Sequence, residues 1–187
     1  MLAENMPAEN MHGETGTETR SEQMAVDTSK IGMPTFKARV TLERGPLSLF
    51  AGAVTDESAI YRSGEAALAA GFDGVPAPPT FPFAMQFTGK FPEDQPPDAG
   101  DQNAVLGVVV GPLMAKGGII LHGEQAFEYH QPMTAGMVLD GEGVVEDIYE
   151  KESKGKTMTF VVTKESWTDA ATGEPVVTAR MNLIHRI

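Results

Sequence analysis

Few side chains in this 187-residue sequence are equipped for acid–base or metal chemistry. Cysteine is absent, which excludes thiolate nucleophiles, disulfides and Cys-based zinc sites. The four histidines are His12, His122, His130 and His185. No two of them stand i, i+4 apart on a helix and no HExxH motif occurs, so no metal and no cofactor is expected. Gly117-Gly118 is not followed by Lys-Ser/Thr and reads as a turn rather than a phosphate cradle, and there is no GxSxG elbow. One grouping remains. In the run from His122 to His130, strict alternation puts Glu124 and Glu128 on one strand face with both histidines. That arrangement suits a polar interface or a general acid–base pair. Taken alone, Asp56 reads as a turn acid and Tyr61 as a packing residue whose hydroxyl is bonded nearby.

The elements that must position these residues follow from local patterns. Phe36 to Leu42 alternates apolar and polar, as a half-buried strand does. Pro46 opens a helix whose apolar face is Leu47, Phe50, Ala51 and Val54. Ser63 to Ala70 is a second helix, N-capped by Ser63 and stopped by Gly71. Val75 to Thr80 carries three prolines and must be extended. Thr80 then caps a helix from Phe81 to Thr88, with Pro82 in its first turn. Its residues Phe81, Phe83, Ala84, Met85 and Phe87 make it apolar nearly all round, which predicts burial within the fold. Residues 91–103, acidic and proline-rich, read as a loop. The apolar run Ala104 to Val110 reads as a strand, and so does Glu124 to His130. Val138–Lys151, Lys156–Trp167 and Pro175–Ile187 are longer strands joined by turns at Lys154-Gly155 and Thr172-Gly173. An apolar helix followed by antiparallel strands specifies an α+β domain whose sheet wraps the helix.

Composition sets the wider bounds. The net charge is −12 and the isoelectric point about 4.7. That excludes a general phosphate-backbone binder and disfavours an anionic membrane surface. No apolar run approaches the roughly 18 residues of a membrane span, and no basic-then-apolar signal layout is present, so a cytoplasmic protein is expected. Residues 1–30 hold six acids against two bases and repeat the tetrad Ala3-Glu4-Asn5-Met6 as Ala8-Glu9-Asn10-Met11. This stretch reads as a disordered acidic tail, with Met24 an alternative start. Residues 31–187 then form one domain.

Three segments carry a resemblance. They are Phe50-Ala51-Gly52-Ala53-Val54-Thr55-Asp56-Glu57-Ser58-Ala59-Ile60-Tyr61, then Gly74-Val75-Pro76-Ala77-Pro78-Pro79-Thr80-Phe81, and His122 to Pro132, with Gly136 ahead of a long strand. In this order they resemble the MaoC-like hydratase/dehydratase family, in its N-terminal-half branch. That branch includes the non-catalytic subunit of mycobacterial 3-hydroxyacyl-carrier-protein dehydratases. The resemblance implies a hot-dog fold over residues 31–187, in which an antiparallel sheet wraps a central helix. Its chemistry adds water to a 2-enoyl thioester, which needs a base to activate water and a donor to polarise the carbonyl. The family uses an Asp, a His five residues later, and a Gly N–H at the start of the central helix. Here Asp56 matches the Asp, but Tyr61 replaces the His and the Gly position falls at or next to Pro79. Proline has no N–H, and a phenol with a pKa near 10 is a poor base at neutral pH.

The resemblance therefore implies a subunit of an (R)-specific enoyl-thioester hydratase or 3-hydroxyacyl-thioester dehydratase. This chain would supply scaffold and acyl-chain binding through Pro79, Thr80, Phe81, Phe83 and Met85. A second hot-dog chain would bring the Asp/His pair. Two alternatives stand beside it. One is a self-sufficient homodimeric hydratase or acyl-CoA thioesterase using Asp56, Glu124 or His130, with Tyr61 nearby. The other is a non-enzymatic acyl-thioester binding module. The ligand in each case is an acyl-CoA or acyl-carrier-protein thioester, whose phosphates would need a basic patch such as Arg39, Lys90 and Lys116. A hot-dog sheet leaves an edge uncovered, so a dimer is expected, with a second subunit or with itself.

Overall fold

The computed structural model describes residues 27–85, 87–99, 105–153 and 155–187. Most of the expected tail, and Lys154 of one expected turn, lie outside these residues. Its centre is a five-stranded antiparallel sheet in the order β1-β3-β4-β5-β2. The strands are β1 (Pro34–Thr41), β2 (Ile119–Tyr129), β3 (Val138–Ser153), β4 (Lys156–Asp169) and β5 (Pro175–Arg186). The helices are α1 (Arg44–Ala53), α2 (Gly64–Ala69), α3 (Pro82–Met85) and α4 (Gly111–Met114), the last continuing a wide helical turn over Leu106–Val110. Ser63 caps α2 as expected, its hydroxyl accepting from the Ala66 N–H at 3.2 Å. Gly155 and Gly173 take positive φ in the two hairpin turns, where a side chain would be strained.

Cross-strand register assigns the inner face in rows. Gly141, Trp167, Val177 and Tyr129 form one row, and Gly143, Glu165, Ala179 and Phe127 the next. The glycines make room for their large neighbours. A Cβ on Gly141 would stand 2.4 Å from the Trp167 ring, and one on Gly143 would stand 2.1 Å from the Thr35 hydroxyl oxygen. One core cluster gathers Leu47, Phe81, Met85 and Trp167 beneath α1 and α3. A second gathers Val105, Val109, Val110 and Leu113 over Val145, Ile148 and Val161.

Three expectations are corrected. The apolar run at Ala104 to Val110 is helical over its described residues, not a strand. Its buried residues Val105, Val109, Val110 and Leu113 recur at helical spacing and pack on the face of the sheet over Val145, Ile148 and Val161, where a helix is needed rather than another strand. The central helix is shorter than Phe81 to Thr88 and is not buried all round. Phe81 and Met85 face the core, whereas Phe83 is 40% and Phe87 75% exposed. The chain leaves α3 through i→i+3 bonds (Phe87 N–H to Ala84 O, Thr88 N–H to Met85 O) and reaches Gly89 at φ 73°. Val54, expected on the buried face of α1, is exposed.

Candidate functional site

Asp56 is set in place by the end of α1. Its N–H bonds the Ala51 carbonyl at 2.8 Å and the Thr55 N–H bonds Gly52 at 3.1 Å, a helix-terminating pair that requires a left-handed residue at position 55. Thr55 fills it at φ 60°, the one non-glycine residue with positive φ among those described. A β-branched residue there is strained. The Asp56 carboxylate accepts from the Ser58 N–H at 2.9 Å, and Arg62 donates to the Asp56 and Ser58 carbonyls at 2.9 and 3.1 Å. Asp56 is thus engaged as a turn acid. Tyr61 closes the following turn and is buried. Burial, and then the Asp56 charge, raise its phenol above the usual pKa, so it stays neutral.

Tyr61 opens onto a cavity of about 480 Å³ shared with Phe72, Pro76, Pro79, Tyr129, His130 and Met133. The extended prolines shape one wall, pinned by the Ala77 N–H to Met133 O at 2.8 Å and the Ala135 N–H to Val75 O at 2.8 Å. Tyr129 ties this wall to the sheet, its hydroxyl donating to the Pro79 carbonyl. Burial pushes the Tyr129 phenol up to about 12, so it keeps the proton it donates at any ordinary pH. His130 bonds the Thr178 hydroxyl at 3.1 Å. The cavity therefore brings together Tyr61, Pro79 and His130 from distant parts of the chain. Asp56 lies behind Tyr61, outside the lining.

The other expected site residues go elsewhere. Phe81 lines an apolar hollow of about 450 Å³ with Leu49, Phe50 and Ala84 of α1 and α3. Met85 is in the core. Phe83 packs edge-on to the His122 ring with centroids 5.7 Å apart, and Thr80 is exposed. The shared face of His122, Glu124, Glu128 and His130 forms only in part. Glu124 and Glu128 stay on one side, opposite Asn182 and Thr178, with His130 bonded to Thr178, and His122 alone is turned away. A bulge at Gly123 pairs His122 with Leu183 but Glu124 with Asn182, and these partners point to opposite sides. Glu124 therefore lies on the outer face, accepting from the Asn182 amide at 2.9 Å. The signal was Gly123 itself, since glycine within a strand pattern marks a bulge. His185 is buried and donates to the Gly117 carbonyl at 2.6 Å. No group of three His, Asp or Glu side chains converges as metal ligands among the described residues.

Arg39, Lys90 and Lys116 do not form one basic patch. Arg39 pairs with Asp140 at 2.7 Å on the outer face. Lys90 sits on the inner side against Phe36, 6.0 Å from its ring centroid, and Lys116 lies beyond α4. Two groups not anticipated from sequence sit on the inner face. Glu165, accepting from the Trp167 indole at 3.3 Å, has its pKa raised by burial. Gln125 has a buried carbonyl oxygen with no hydrogen-bond partner among the described residues.

Residues 29–179 match the family described as FAS1-like, dehydratase domain region. The chain belongs to that family. It is 32% identical over 166 residues to a UPF0336 protein of Saccharopolyspora erythraea, covering 87% of this chain and 93% of that one. It is 34% identical over 167 residues to a UPF0336 protein of Streptomyces avermitilis, covering 87% and 97%. Among solved structures it superimposes on the HadBC (3R)-hydroxyacyl-ACP dehydratase complex of Mycobacterium tuberculosis with a TM-score of 0.62 and 24% identity, over 83% of this chain and 96% of that one. The ChsH1-ChsH2 complex of the same organism gives 0.63 and 19%, over 82% and 84%. These likenesses establish the α+β hot-dog fold of MaoC-like dehydratases. No described helix is long and apolar enough to cross a membrane.

Proposed function

We propose that this chain is the structural and acyl-binding subunit of an (R)-specific enoyl-thioester hydratase or 3-hydroxyacyl-thioester dehydratase in the cytoplasm. A second hot-dog subunit supplies the acid–base pair. The observation that carries the reading is the makeup of the cavity that joins Tyr61, Pro79 and His130, which we take as the counterpart of the family's active site. Its lining holds a neutral buried tyrosine and a proline whose missing N–H leaves no donor at that residue for a thioester carbonyl. Asp56, the one matching acid, is committed to its own turn. An active site stripped of both functions on a well-formed scaffold makes sense where another chain completes it. The exposed aromatic face of Phe83 and Phe87 beside α3, and the unpaired outer side of β2, offer that chain a surface. Acyl-chain binding falls to the hollows lined by Pro79 and by Phe81, with exposed Thr80 and Phe83 beside them and Met85 backing them from the core.

The test is direct. The purified chain is expected to leave crotonyl-CoA untouched. Isolated from its native cells, it is expected to bring a hot-dog chain with an Asp and a His five residues later, and that complex is expected to hydrate crotonyl-CoA. A homo-oligomer that turns over crotonyl-CoA, with activity lost in Asp56→Asn, would overturn the reading.

A further inference from the structure

The sheet has two edges, β1 and β2, and they are treated differently. At the Arg39–Thr41 end of β1 outward backbone groups are already occupied. The Thr41 N–H bonds the Gly89 carbonyl at 2.9 Å. One residue pair back, Arg39 meets a side chain: its N–H donates to Gln95 Oε1 at 3.1 Å, and Gln95 Nε2 donates to the Arg39 carbonyl at 2.9 Å. The Gln95 amide thus makes the pair of bonds that a residue of an adjoining strand would make. It is held for this by a further bond from Nε2 to the Phe91 carbonyl at 3.0 Å. Farther along, Lys37 pairs with Asp98. The close approach at the other end depends on glycine. A Cβ on Gly89 would stand 2.5 Å from the Thr41 carbonyl oxygen, and the residue sits at φ 73°.

The outside of this segment is unsuited to pairing. Pro92, Pro96 and Pro97 have no N–H to offer, and Glu93, Asp94 and Asp98 are acidic. Beneath it lies a cleft of about 650 Å³ floored by Lys37, Arg39, Asp140, Glu142, Ser166 and Thr168. The segment is therefore held by a few polar contacts rather than by packing. β2, in contrast, runs eleven residues without proline and pairs only with β5.

We infer that residues 89–98 are an edge cover, fastened by Gln95, which closes β1 to strand addition and leaves β2 as the single strand-pairing edge. Assembly through the sheet then stops at one partner, whichever reaction the chain serves.

The test compares wild type, Gln95→Ala and the near-isosteric Gln95→Glu, which keeps an acceptor but loses the donor. Each full-length protein, with any co-purifying partner, is followed by light scattering over a concentration series and by amide hydrogen exchange. In Gln95→Ala the Arg39 amide is expected to exchange about tenfold faster, as loss of hydrogen bonds of this strength implies. Species heavier than wild type are expected to grow with concentration. Adding Arg39→Pro to Gln95→Ala, which removes the edge donor, is expected to restore the wild-type mass. The inference is overturned if both Gln95 variants keep the wild-type mass at every concentration. It is also overturned if the heavier species survive Arg39→Pro.

Discussion

Gly141→Ala is the sharpest perturbation the core allows, because one methyl group meets the chain's single tryptophan. Trp167 is 1% exposed and lies on Gly141, so that the new Cβ would stand 2.4 Å from Cε3 and Cζ3 and 2.7 Å from Cδ2. The ring has little room to retreat. Phe36 flanks it with centroids 5.8 Å apart, Val177 stands beside it in the same row, and its indole N–H is fixed to Glu165 at 3.3 Å. Overpacking of this kind costs about 1–3 kcal/mol. Losing the indole bond to a half-buried carboxylate adds to that cost. At about 2–4 °C per kcal/mol for a domain of this size, the melting temperature is expected to fall by roughly 3–10 °C. Gly52→Ala is the matched control, since no atom lies within 4 Å of its Cβ and it sits inside α1. There the same methyl is expected to stabilise by about 0.5–1 kcal/mol. Urea unfolding monitored by Trp167 emission reads both stability and ring environment, and the Gly141 variant is expected to emit farther to the red. Equal stability of the two variants with unchanged emission would refute the packing argument.

Other predictions rest on separate groups. Burial raises the Glu165 pKa, so its contribution to stability is complete below the unfolded value and is lost as pH rises through the folded value. Glu165→Gln is therefore expected to flatten the decline in urea stability between mildly acidic and neutral pH; an unchanged pH profile would contradict that burial. Tyr129 is held up to about 12, so absorbance titration is expected to show a late tyrosinate step near that pH, absent from Tyr129→Phe. Because that pKa is raised, its contribution to stability is expected to persist below about 10 and to vanish through about 12. Thr55→Gly relieves a left-handed β-branched residue at φ 60° and is expected to raise stability by up to about 1 kcal/mol, measured as a higher melting temperature.

Much of the scaffold was legible because it is locally encoded. The three long strands alternate in period, glycines mark their turns, and Ser63 and Gly71 bracket α2 at the expected places. The residue types at positions 61 and 79 were legible too, since a phenol and a proline fix what can be donated wherever they lie. The helical turn at Leu106–Val110 was not, because a short unbroken apolar run carries no period to separate helix from strand. Nor was the division of His122 from Glu124, which depends on one extra residue in the ladder.

The sequence by itself determined the fold family and that a phenol and a proline stand at positions 61 and 79, because propensity, turn chemistry and the presence of an N–H belong to residues individually. Tertiary structure alone decided that Tyr61, Pro79, Tyr129 and His130 share one cavity and that the Glu165 carboxylate is half-buried on the inner face. It also decided that Gln95 closes an edge 56 residues away in the chain. Those facts depend on register and on contacts between distant segments, which local pattern does not specify.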